Sequence, residues 1–61
     1  MNASDYKIGQ RVTMLDPDER EQVYGNVTCI GSNYIKVKWD DLHSECEHLA
    51  NEFPDITPIK Q

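Results

Sequence analysis

The stretch Tyr24-Gly25-Asn26-Val27-Thr28-Cys29-Ile30-Gly31-Ser32-Asn33-Tyr34-Ile35-Lys36-Val37-Lys38-Trp39-Asp40-Asp41 decides the fold. Its second half alternates without a break, with Ile35, Val37 and Trp39 on one parity and Lys36 and Lys38 on the other. Successive strand side chains point to opposite faces, so this is a strand with one buried and one solvated side. The first half, a strand from about Gln22 to Ile30, alternates less cleanly. Val23, Val27 and Cys29 share one parity and Ile30 has the other. A bulge or sharp bend at Gly25 would reset the register. Between the halves lies Gly31-Ser32-Asn33, whose residue types supply the positive φ of a tight hairpin turn.

Working outward, Arg11-Val12-Thr13-Met14-Leu15 reads as a strand with Val12 and Met14 inward and Arg11 and Thr13 outward. Asp16-Pro17-Asp18-Glu19-Arg20-Glu21 is a charged loop. Asp-Pro opens a turn, and the acids that follow suit one helical turn with Arg20. After a turn at Asp41-Leu42-His43, Ser44 to Ala50 reads as a weaker fourth strand. It places Cys46 inward, and a parity switch near its end admits Leu49 to the core. Asn51 to Asp55 reads as a helical turn and Ile56 to Ile59 as a last strand, where Pro58 demands an edge position. Residues 1–5 are polar and read as a flexible N-terminus, with one domain over 6–61. The expected core is Ile8, Val12, Met14, Val27, Cys29 or Ile30, Ile35, Val37, Trp39, Cys46, Leu49, Phe53, Ile56 and Ile59.

Sixty-one residues make one small domain. Such a chain buries about 60% of the surface its unfolded form exposes, which leaves little room for a deep catalytic cleft beside a core. The net charge of −5 works against nonspecific nucleic-acid binding, which rests on neutralising phosphates, and against anionic membranes. An acidic surface favours a basic partner, or serves solubility alone. The chain begins at Met1 and holds no apolar run long enough for a signal or a membrane span. A cytoplasmic protein is therefore expected, with Cys29 and Cys46 as reduced thiols.

Five short strands, a long first loop and a helical turn before the last strand together resemble an SH3-like barrel of the Tudor/KOW type. Four segments carry the resemblance. Ile8-Gly9-Gln10-Arg11-Val12 looks like the opening of such barrels. Gly25-x-Val27-x-x-Ile30 is similar to the KOW core pattern. Tyr34-Ile35-x-Val37-x-Trp39-Asp40-Asp41 is close to their central strand. Leu49-Ala50-x-x-Phe53 followed by Ile56-x-Pro58-Ile59 looks like the closing turn and strand. The resemblance implies an all-β fold, a five-stranded barrel with a short 3-10 turn before the last strand. It also implies a non-enzymatic protein-interaction module, such as one that modulates a larger machine like RNA polymerase, in the manner of small phage or bacterial accessory proteins. A methyl-lysine reader is not implied, because the chain lacks a set of three or four aromatics in the right loops.

The residues themselves leave several readings open. Tyr24 and Tyr34 sit at strand ends, where a ring can line a groove, and aromatics are enriched at interface cores. With Asp16, Asp18, Glu19 and Glu21 they form the expected protein-binding site, for a partner with a basic surface. Arg11, Lys36 and Lys38 form an alternative nucleic-acid face, with a nearby tyrosine for base stacking; the plainer reading is a solvated face. Self-association through an exposed edge strand is a second alternative, so a monomer or weak homo-oligomer is expected.

His43-x-x-Cys46-x-His48 with Cys29 is a weak metal candidate. Structural zinc takes four ligands, there is no C-x-x-C knuckle, and both cysteines suit small buried positions. Glu45 and Glu47 flank Cys46, a setting opposed to a thiolate nucleophile. No Ser-His-Asp order, phosphate loop or paired-carboxylate cleft is visible. No enzyme activity, metal or cofactor is expected.

Overall fold

The computed structural model describes residues 2–59. Five strands run in the order β1 (Arg11–Leu15), β2 (Gln22–Ile30), β3 (Tyr34–Trp39), β4 (Glu45–Leu49) and β5 (Thr57–Pro58). A 3-10 turn over Ala3–Asp5 precedes them, and another over Ala50–Asp55 separates β4 from β5. The strands form one sheet in the order β4-β3-β2-β1-β5, with every neighbouring pair antiparallel. The first four make a meander, and β5 returns to the free side of β1.

The protein is thus all-β, but the sheet is open: among the described residues no ladder joins β5 to β4. The reason lies in β5. It is two residues long, and Ile59 N–H donates to the Arg11 carbonyl at 2.9 Å. Alternation then turns Pro58 away from β1, where its missing N–H can support no further strand. This is the edge position that Pro58 demands.

Alternation decides most of the core. Val12 of β1, Val27 of β2, and Ile35, Val37 and Trp39 of β3 are buried on one sheet face, with Phe53 and Ile56 packed over them. Met14, Val23, Ile30 and Cys46 pack against this cluster, and Ile59 is half-buried. Gly25 lies in the same layer because nothing larger fits. A Cβ there would stand 2.7 Å from the Lys38 carbonyl oxygen and 2.8 Å from the Trp39 ring.

Several expectations are corrected. The irregularity of β2 falls at Thr28, not Gly25. The pairing is Val27 with Val37 before it and Cys29 with Lys36 after it. One extra residue resets the parity, so Ile30, opposite Ile35, joins the core, and Cys29 shares the outer face with Lys36. The Gly31-Ser32-Asn33 turn uses no positive φ; among the described residues only Gly9 and Arg20 adopt one. Gly31 is required by crowding instead, because a Cβ there would collide with the Tyr34 ring.

Leu49 stays out of the core at 49% exposure. The β3–β4 register runs unshifted from Lys38–Glu45 to Tyr34–Leu49, so no parity switch occurs. Ile8 sits in a turn and is 70% exposed. In the segment before β1 it is Tyr6 that joins the core, buried to 2% exposure. Thr13, read as outward, is buried too, and its hydroxyl donates to the Val23 carbonyl at 2.8 Å. The segment read as a flexible terminus carries the Ala3–Asp5 turn, whose Ala3 belongs to the core.

Candidate functional site

Beyond Trp39 the chain turns sharply, with Leu42 N–H donating to the Trp39 carbonyl at 3.0 Å. The β1–β2 loop curls into the same region. There the Asp16 carboxylate accepts the Asp18 N–H at 2.8 Å, the Asp16 N–H reaches the Glu21 carbonyl at 2.8 Å, and Arg20 takes a φ of 56°. Between the two turns lies a groove of about 280 Å³. Met14, Val23, Trp39 and Cys46 line it from the sheet, Leu42 and Pro17 from the loops, and His48 from β4. Two carboxylates, Asp16 and Asp41, complete the lining. Leu42 is an apolar side chain left 43% exposed at this mouth.

A chain of polar contacts runs through the groove wall. Trp39 Nε1–H donates to His48 Nε2 at 3.1 Å. That bond makes Nε2 the acceptor, so the ring proton sits on Nδ1 and faces Glu52 Oε1 at 3.4 Å. The other Glu52 oxygen accepts the Leu49 N–H at 3.0 Å. The Leu49 amide, with His48 second, holds the Glu52 carboxyl below the usual carboxylate range. The indole and imidazole rings meet edge to face at 5.7 Å and 84°. Trp39 is thereby fixed as part of a pre-formed wall.

The expected site residues separate into two groups. Asp16 lines the groove, and Asp18, Glu19 and Glu21 continue outward from it as exposed loop residues. Tyr24 lies round the edge on the outer sheet face, where with Glu21, Asp40 and Asp41 it lines a shallow polar depression. Tyr34 is remote from both. Asp40 is held opposite Tyr24 by its N–H on the Tyr24 carbonyl, and Tyr34 lies six residue steps back along β3, about 20 Å at ~3.3 Å per residue. The structure thus brings together the acidic loop, Tyr24 and the Asp40–Asp41 turn, and leaves Tyr34 at the far end over Gly31.

The alternative basic face is largely neutralised from within. Arg11 forms a two-pronged pair with Asp40, one prong at 2.9 Å, and Arg11 Nη1 also donates to Asn26 Oδ1 at 2.8 Å. Hydrogen bonding to Arg11 holds the Asp40 carboxyl low and raises the Arg11 guanidinium in turn. The guanidinium also stands 5.8 Å from the Tyr24 ring centroid. Lys38 donates to the Leu42 carbonyl at 3.0 Å. In the register Lys36 faces Glu47 and Lys38 faces Glu45.

The candidate metal ligands are dispersed. Cys46 pairs with Val37 on the inner face, whereas the Thr28 bulge turns Cys29 to the outer one. Both thiols are free, and among the described residues no cluster of three potential ligands occurs. No helix of the described residues is long and apolar enough to cross a membrane.

The groove was not foreseen because parity assigns Met14 and Cys46 to the core and Trp39 to the core or its edge. The one available signal was Leu42, an apolar residue between acids in a turn. No family model, no curated protein and no solved structure matches this chain.

Proposed function

We propose that this chain is a non-enzymatic protein-interaction module, SH3-like in kind though with its sheet left open, whose groove takes an apolar side chain from a cationic segment of a partner protein. One observation carries the reading: a pre-formed apolar groove on an acidic protein, with Trp39 in its wall and a carboxylate from each of two loops in its lining. Apolar concavities with a few placed polar groups are the usual form of a binding site. Charge complementarity adds on-rate and selectivity more than raw affinity. The nucleic-acid alternative is weakened by the commitment of Arg11 to Asp40 and by the glutamates facing Lys36 and Lys38.

Trp39 is the only tryptophan, so its emission reports on the groove. Peptides selected from a displayed random library against the immobilised protein should pair lysine or arginine with a bulky apolar residue and shift Trp39 emission. Asp16→Asn with Asp41→Asn should weaken them by about tenfold, with the loss shrinking at high salt. Selected peptides that leave Trp39 emission unmoved would overturn the reading. So would a short oligo(dT) that shifts the Lys36 and Lys38 amides at low salt when no peptide binds.

A further inference from the structure

Among the described residues β4 has one strand partner, β3, and no strand pairs with its outer edge. Which backbone groups line that edge follows from the register. Ala50 N–H donates to the Asn33 carbonyl at 3.0 Å, so Asn33 and Ala50 are a hydrogen-bonded pair. In an antiparallel ladder such pairs alternate with non-bonded ones. His48 and Cys46 therefore direct their backbone groups to Ile35 and Val37, while Leu49, Glu47 and Glu45 direct theirs outward. The Leu49 amide confirms the phase, because its N–H is taken by the Glu52 carboxylate. Among the described residues nothing similar satisfies Glu45 and Glu47. The edge is thus capped at one end and open over Glu45–Glu47.

The side chains on that edge specify its occupant. Glu45 and Glu47 lie on the outer face and are exposed, and Cys46 and His48 turn to the inner face, where they line the groove. An added strand would set its own residues opposite each of these in turn. Cationic residues would meet Glu45 and Glu47, and apolar residues would fall beside Cys46 and His48 at the groove mouth. A second copy of this chain fits poorly. Antiparallel self-pairing through these outward groups sets Glu47 against Glu47 or Glu45 against Glu47, and like charges directly opposite are destabilising.

We propose that β4 accepts an added β-strand from a partner, an extended segment in which lysine or arginine alternates with apolar residues. This rests on the interaction-module reading and gives its mode of binding. Main-chain bonds at Glu45 and Glu47 supply affinity, and alternate side chains supply selectivity.

The test uses a short blocked peptide of alternating lysine and valine, and the same peptide N-methylated at its lysines. Methylation keeps the charge and removes the donors that would face Glu45 and Glu47. The unmethylated peptide should slow hydrogen exchange at the Glu45 and Glu47 amides by about tenfold or more, relative to the Cys46 and His48 amides already bonded to β3. The methylated peptide should bind about tenfold more weakly, as should the unmethylated one to Glu47→Lys. Equal binding of the two peptides, or unchanged exchange at Glu45 and Glu47, overturns the strand addition. If Trp39 and Leu42 still respond in that case, the groove reading stands alone; if they too are silent toward this peptide and the selected ones, both fail.

Discussion

Tyr6 with Phe53 and Trp39 with His48 are both edge-to-face ring pairs, at 5.3 Å and 5.7 Å, yet one seals the protein and the other leaves it open. Phe53 and Tyr6 are buried to 0% and 2% exposure. The Tyr6 hydroxyl donates its proton between two main-chain carbonyls, Ile56 at 2.8 Å and Phe53 at 3.0 Å. Its polar tip is consumed by the backbone, and both rings are closed off from solvent. Trp39 is almost as buried, but its N–H goes to a side chain, and that side chain lines a groove bounded by loops. The same pairing of an aromatic ring with a polar handle thus stands in two different settings. What differs is whether the handle meets fixed backbone or a side chain at an opening.

The largest effect is expected at the Tyr6–Phe53 plug. Phe53→Ala should cost about 3–5 kcal/mol. Because a domain of this size holds only about that much, the variant should be largely unfolded by circular dichroism at room temperature. Gly25→Ala joins the two regions. Its methyl group would press on Trp39, Val37 and the Lys38 carbonyl, and overpacking of this kind costs about 1–3 kcal/mol. A urea titration should show the loss, and Trp39 emission should shift in the folded state. An unaltered spectrum would mean that the groove wall is not fixed from beneath.

Tyr6→Phe removes one hydroxyl and its bond to the Ile56 carbonyl, while the Phe53 carbonyl keeps the Ile56 N–H at 3.0 Å, for a loss of about 1–2 kcal/mol with Trp39 emission unchanged. The same residue predicts an alkaline limit. Burial, and secondarily Asp5, raises the Tyr6 pKa above its ordinary value near 10. A raised folded value means that the contribution is complete below about pH 10 and is lost as pH rises through the folded value. Tyr6→Phe should therefore lack the parent's stability loss above pH 10.

The smallest effect is at the acid side. Asp40 and Glu52 have lowered values, so their contributions are present above the ordinary carboxylate range and disappear as pH falls through the folded values. Asp40 is exposed and Glu52 is half-buried with much of its carboxylate side chain in solvent, which keeps the effect small. Asp40→Asn should flatten the stability profile below about pH 4, and a profile identical to the parent's would show that the Arg11 pair contributes nothing in solution.

Much of the fold was legible. The bounds of β1 and β2 follow from strand-like composition between turn residues, and β3 from strict alternation of Ile35, Val37 and Trp39. Less of the site was legible. Asp16 was anticipated as part of an acidic loop, but its meeting with Asp41 depends on two turns that lie far apart in the chain. Tyr24 and Tyr34 looked alike as aromatic residues at strand ends, and register places them about 20 Å apart.

By itself the sequence determined an acidic, all-β domain of short antiparallel strands, because parity and turn chemistry act over a few neighbouring residues. Tertiary structure alone decided the rest. It put the extra residue at Thr28, which exchanged Cys29 for Ile30 in the core. It buried Tyr6 rather than Ile8, with the phenol bonded to carbonyls about fifty residues away. Among the described residues it also left no ladder between β5 and β4, so that an edge and a groove stand open together. Each of these turns on contacts between distant segments, whose closure no local pattern encodes.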